Sequence, residues 1–187
     1  MTGILPGLVL RDTVAAADVE RIAELVAATG FFSAEETAIA AELAAEAAAR
    51  GAASGYLFLL AAAGDRLVGY TCYGPIPATS GSFDLYWIAV APDRHRQGLG
   101  RRLLAATEAA VLATGGRRLF VDTSSRPQYA PTRAFYRACG FREVAVVPHF
   151  YQPGEHKVIF AKHLVTPCRA RRTAECPTRN DEGRRDL

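Results

Sequence analysis

No apolar run in this 187-residue chain approaches the roughly 20 residues needed to cross a bilayer. The opening stretch MTGILPGLVLR carries no basic leader and no small-residue cleavage site after a long apolar segment, which argues against secretion. A soluble, cytoplasmic protein is expected. Cysteine is scarce: Cys72, Cys139, Cys168 and Cys176 match neither a zinc framework nor a redox pair, so free thiols and no metal site are expected. Net charge is scarce too, at +3, and offers no general case for nucleic-acid binding.

Apolar residues are plentiful, half of the chain, enough to bury the core of one domain. The pattern alternates between the two regular periods. Leu8–Arg11 reads as a first strand, and Val19, Ile22, Leu25 and Val26 recur at helical spacing until Gly30. Ser33-Ala-Glu-Glu36 has capping-box spacing before an alanine-rich helix that runs to about Arg50. Residues 56–63 and 67–74 form a predicted hairpin across Gly64-Asp65-Arg66. Phe83–Val90 is apolar enough for a central strand, with Asp84 its one charge.

A helix follows that should bury Leu99, Leu103, Ala106, Ala110 and Val111 and end at Gly115-Gly116. Leu119–Thr123 should then be a strand parallel to Phe83–Val90, because a helix separates the two. Pro131–Cys139 reads as a short helix stopped by Gly140. Residues 144–147 and 157–161 form a last antiparallel pair joined by the loop PHFYQPGEH. Beyond Leu164 the apolar pattern disappears. Residues 165–187, with six arginines against four acidic residues, are expected to form a disordered tail, and residues 1–164 the folded domain.

The stretch from Trp87 to Leu104, WIAVAPDRHRQGLGRRLL, breaks a local rule. Arg94, Arg96, Arg101 and Arg102 crowd a helix start, where the macrodipole disfavours cations. A bound anion, held by the free amides of the first turn, would compensate them. Gly98 and Gly100 lack the third glycine of the dinucleotide fingerprint and the Gly-Lys-Ser/Thr of the phosphate loop, yet a pyrophosphate remains a suitable guest.

These residues resemble the acetyl-CoA motif of the GNAT superfamily of N-acetyltransferases. The strand ends in Ile88-Ala89-Val90 and is followed by His95-Arg96-Gln97-Gly98-Leu99-Gly100, with His95 where the family usually has Arg or Gln. A second family motif, aromatic-Tyr-x-x-x-Gly-Phe, stands downstream as Phe135-Tyr136-Arg137-Ala138-Cys139-Gly140-Phe141. The resemblance covers nearly the whole chain except the tail. It implies an α/β fold of the GNAT type: a mixed, mostly antiparallel sheet, splayed at its centre and flanked by helices.

The resemblance also implies a reaction: transfer of acetyl from acetyl-CoA to a primary amine, by direct attack through a tetrahedral intermediate. Ile88, Ala89 and Val90 would present backbone groups to the pantetheine arm. Arg96, Gln97, Gly98, Leu99, Gly100 and Arg101 would wrap the pyrophosphate. An amide of the splayed strand, that of Val90, would hold the oxyanion. Tyr136 matches the family's general acid, with a core tyrosine as the structural alternative.

Asp122 sits where ribosomal-protein alanine acetyltransferases carry a glutamate base. Asp84 is its rival, sharing a face with Tyr86, Ile88 and Val90 on a regular pleat. Either aspartate could instead be satisfied by neighbouring amides. His95 and His149 are weaker candidates, and the loop His149-Phe150-Tyr151-Gln152-Pro153 resembles an acceptor-side loop. The acceptor is left open between a small molecule and a peptide amine, as is a homodimer. Two other readings stand beside the enzyme: a non-catalytic acetyl-CoA-binding or sensing module, and a basic tail that tethers the domain to RNA or ribosomes.

Overall fold

The computed structural model describes residues 7–165. The tail expected to be disordered, apart from its first residue, and the RNA tether built on it lie outside the described residues. In chain order the elements are β1 (Leu8–Arg11), α1 (Ala16–Ala28), α2 (Ala34–Arg50), β2 (Leu57–Ala63), β3 (Arg66–Pro75), β4 (Ser82–Val90), α3 (Leu99–Ala113), β5 (Arg118–Ser124), α4 (Ala130–Ala138), β6 (Arg142–Gln152) and β7 (Glu155–His163). The seven strands form one sheet in the order β1-β2-β3-β4-β5-β7-β6. Every neighbouring pair is antiparallel except β4 and β5, which run parallel as expected across the α3 crossover.

The capping box at Ser33 forms as its spacing predicts: the Ser33 hydroxyl accepts from Glu36 N, and the Glu36 carboxylate accepts from Ser33 N. The start of α1 carries a device that its sequence does not announce. Asp18, fully buried, accepts from Ala15 N at 2.8 Å and pairs with the Arg11 guanidinium, fixing the end of β1 to the start of α1.

On α3 the buried side chains are Leu99, Leu103, Leu104, Thr107 and Val111, while the expected Ala106 and Ala110 are only half-buried. The buried stripe includes a polar residue because Thr107 has partners. Its hydroxyl meets that of Thr71 on β3 at 2.8 Å and donates to the Leu103 carbonyl at 3.0 Å. This contact places α3 on the Thr71 face of the sheet. Cys72 and its partner Trp87 point to the opposite face, where Trp87 packs against Phe32 from the α1–α2 connection.

Two local expectations are corrected. β4 carries a bulge at Tyr86: Tyr73 pairs with Leu85 and Cys72 with Trp87, leaving Tyr86 unpaired. The extra residue reverses the alternation, so Ile88 and Val90 lie on the α3 face while Asp84 lies on the other. The expected loop PHFYQPGEH is instead mostly strand. β6 runs to Gln152, and Pro148–Tyr151 bulge out opposite the single residue His156. His149 adopts φ 55 there; its ring accepts from Gly154 N, and its own N–H donates to His156 Nδ1, each at 2.9 Å. Side chains thus replace the missing ladder bonds.

Candidate active site

β4 and β5 pair only as far as Leu85–Val121, after which Tyr86–Val90 and Asp122–Ser124 diverge. The divergence opens a cleft through the middle of the sheet. Ala91 N bonds to Val68 O, and the alternation of an antiparallel ladder then turns the main-chain groups of Ile88 and Val90 away from β3, toward the cleft. Those of Ala89 are spent on Tyr70. Of the expected trio, two residues therefore offer backbone to a guest. The Val90 carbonyl already accepts from His95 Nε2 at 2.9 Å, leaving the Val90 N–H free.

At the α3 end of the cleft, Arg94 closes a short 3-10 turn and Arg96 lies in the loop, so only Arg101 and Arg102 stand in the helix's first turn. The first α3 bond runs from Arg102 N to Gly98 O, so the N–H groups of Leu99, Gly100 and Arg101 have no intrahelical acceptor. Arg96 at φ 59 and Gly98 at φ 83 curl the preceding loop through left-handed backbone, a geometry that gathers successive amides around an anion. A Cβ on Gly98 would meet nothing within 4 Å, so the loop is open outward.

The other side chains of this loop serve its shape. Gln97 donates to Asp93 O at 2.7 Å, Arg66 grips the Asp93 carboxylate through two 2.8 Å bonds, and Leu99 is buried in the core. Arg101 is exposed and reaches the Ala138 carbonyl at 3.4 Å. These residues fit a pyrophosphate held by amides, with Arg96 and Arg101 at its rim.

Tyr136 lies on this same face. It packs against Phe135, Phe141 and Phe160 with ring centroids 5.5–5.9 Å away and is 3% exposed. Burial pushes its phenol well above the ordinary tyrosine range, so it stays protonated at neutral pH.

Asp84 and Asp122 flank the last paired rung on the opposite face. Asp122 is in an ion pair with Lys157 of β7, and the Lys157 ammonium also sits 4.7 Å from the centre of the Phe150 ring. Asp84 has no hydrogen-bond or ion-pair partner among the described residues. Burial pushes its carboxyl above the ordinary range; Asp122 adds to the push and Lys157 opposes it.

Aromatic rings rim this mouth. Tyr129 donates to Phe31 O at 3.2 Å and its ring touches that of Phe31, joining the α1–α2 connection to the segment after β5. That segment is fastened from below: Glu155 accepts from Ser124 at 2.7 Å and pairs with Arg126 at 2.8 Å, while Arg133 donates to Ser124 O at 2.6 Å. Sequence reasoning passed over Lys157, Phe31 and Tyr129. The one available signal was compositional: only Lys157 and Lys162 are lysines among 22 basic residues.

No helix among the described residues is long and apolar enough to cross a membrane, and none of their His, Cys, Asp and Glu side chains group to hold a metal. His95 and His149 are spent on backbone partners at 2.9 Å.

The model of the acetyltransferase (GNAT) family matches residues 19–141. An aminoglycoside N(6')-acetyltransferase type 1 from Stenotrophomonas maltophilia is 36% identical over 110 residues, 55% of this chain and 70% of that protein. A solved structure assigned to the GNAT family, from Desulfovibrio desulfuricans, superposes with a TM-score of 0.83 at 47% identity, over 84% of this chain and 99% of that one. An aminoglycoside 6'-N-acetyltransferase complexed with coenzyme A shares the fold at a TM-score of 0.68 and 17% identity, over 85% of this chain and 98% of that one. A splayed sheet of this topology, matched by the family's model over residues 19–141, leaves one assignment: the chain belongs to the GNAT family of acetyltransferases.

Proposed function

We propose that the protein transfers the acetyl group of acetyl-CoA to a primary amine by direct attack, the two substrates entering the cleft from opposite faces. The observation that carries this reading is the Val90 N–H, unpaired at the point where β4 and β5 part, with Tyr136 on one side of the sheet and Asp84 and Asp122 on the other. Amides from Arg96 to Arg101 hold the pyrophosphate, and Ile88 and Val90 align the pantetheine arm as an added strand would be aligned. Holding thioester and amine together replaces a bimolecular encounter.

Within that arrangement each group has one task. The Val90 N–H stabilises the oxyanion. Asp84, the carboxyl without a cation of its own, takes the amine's proton. Asp122 holds Lys157 and is a positioning residue. Tyr136 protonates the departing thiolate; its own raised pKa makes it a weak acid, so catalysis there depends on placement. Among the described residues neither cysteine suits a nucleophile: burial pushes the Cys72 and Cys139 thiols up, which disfavours a thiolate and a covalent acetyl-enzyme.

The test is release of free thiol from acetyl-CoA over a panel of amines: an α-amino peptide, a lysine peptide, a polyamine and an aminosugar of the kind named for the Stenotrophomonas relative. Turnover with at least one amine, lost in Tyr136→Phe, supports the reading. Thermal stabilisation by acetyl-CoA with no turnover on any amine would favour the sensing module.

A further inference from the structure

Asp84 and Asp122 flank the last β4–β5 rung, Glu155 fastens the segment after β5 and Glu36 caps α2, and burial and the charges of the last three push the Tyr151 phenol up. An acidic mouth of this kind looks suited to a polycation, but its internal pairing says otherwise. Asp122 is neutralised by Lys157 and Glu155 by Arg126, while the Glu36 carboxylate keeps its charge and is engaged by the N–H that it caps at Ser33. Only Asp84 is without a partner among the described residues.

Lys157 is held firmly where it is. It lies on β7 opposite Ser124, on the face that carries Asp122, with its ammonium between the Asp122 carboxylate and the Phe150 ring. Its side chain is 22% exposed, so the charge is only partly screened by water. Lysine supplies a compact charge, where the arginine used almost everywhere else in the chain would cover both carboxylate oxygens with its fork.

We propose that Lys157 sets the acceptor class of this cleft: by neutralising Asp122 it leaves Asp84 as the one uncompensated carboxylate where β4 and β5 part, so singly charged primary amines are accepted and amines carrying several ammonium groups are discriminated against. The inference rests on the acetyltransferase reading above. The cation repels a second ammonium arriving beside the one that Asp84 receives, which is exclusion by like charge. The aromatic rim of Phe31, Tyr129 and Tyr151 then favours an acceptor whose remainder is uncharged.

The experiment compares phenethylamine, a neutral peptide with a free α-amine, and spermidine, using wild type, Lys157→Met, Lys157→Gln and Lys157→Arg. Thiol release gives kcat/KM for each, and calorimetry gives Kd for each amine on the coenzyme A complex, so binding is read even without turnover. Wild type should favour the singly charged amines in both measurements. Lys157→Met and Lys157→Gln should shift the ratio toward spermidine by about tenfold, and Lys157→Arg should restore discrimination. A wild type that prefers spermidine, or a ratio unmoved by Lys157→Met and Lys157→Gln, overturns the inference. Failure of all amines to release thiol, with the binding ratio shifted as expected, would instead sink the acetyltransferase reading alone.

Discussion

On the α3 side the cleft is bounded by main chain: the amides of Leu99, Gly100 and Arg101, the left-handed loop at Arg96 and Gly98, and the N–H of Val90. On the α1 side it is bounded by side chains: Asp84, Asp122, Lys157 and a rim of aromatic rings. Main-chain donors are the same whatever residue carries them, so the first mouth suits a constant guest. Side chains change with single substitutions, so the second mouth is where one member of a fold family departs from another.

The largest effect is expected of Tyr136→Phe, which keeps the packing against Phe141 and Phe160 and removes only the hydroxyl. Thiol-release kinetics should show kcat down by about 10²-fold with little change in the KM for acetyl-CoA. The next largest effect is expected at Gly98. Valine there would be forced to φ 83, and calorimetry should show coenzyme A binding weakened by about tenfold or more. If the mouth is main chain, Arg94→Ala should move the same Kd by less than about threefold. The reverse ranking would break the contrast between the two sides.

The smallest effect expected is in pH dependence. Asp84 acts as a base only when ionised, and its carboxyl is raised by burial and by Asp122, so the acid limb of kcat/KM should lie above the ordinary carboxylate value of about 4. Activity falls as pH drops through that limb. Lysine at 157 opposes the rise, and Tyr86 adds a further neighbour that faces Asp84. Lys157→Met should therefore move the limb to higher pH, as read from rate profiles between about pH 4 and 9.

The two mouths also differ in how far the sequence reveals them. Strand, proline, basic loop and glycine pair are local signals, and Gly98 declares its left-handed backbone by its residue type. The α1-side mouth depends on register, which a single extra residue undoes. The bulge at Tyr86 puts Asp84 on the face opposite Ile88 and Val90, against the regular pleat read from the sequence.

The stretch after Val147 reads as a loop because it carries two prolines and a glycine, yet His149 and His156 bond the hairpin together with their rings. Lys157 meets Asp122 across 35 positions, and nothing local announces the pair. Four arginines looked like a violated helix start. The chain places two of them ahead of the helix, and the amides of Leu99, Gly100 and Arg101 are left without intrahelical acceptors.

The most direct measurement is the rate of thiol release by Asp84→Asn set beside Asp122→Asn, with a singly charged amine at saturating acetyl-CoA. With Asp84 as the base and Asp122 tied to Lys157, Asp84→Asn should lose about 10²-fold in kcat/KM and its acid limb, while Asp122→Asn should lose less than about tenfold and keep the limb. Loss of the limb in Asp122→Asn, with Asp84→Asn close to wild type, would contradict the account.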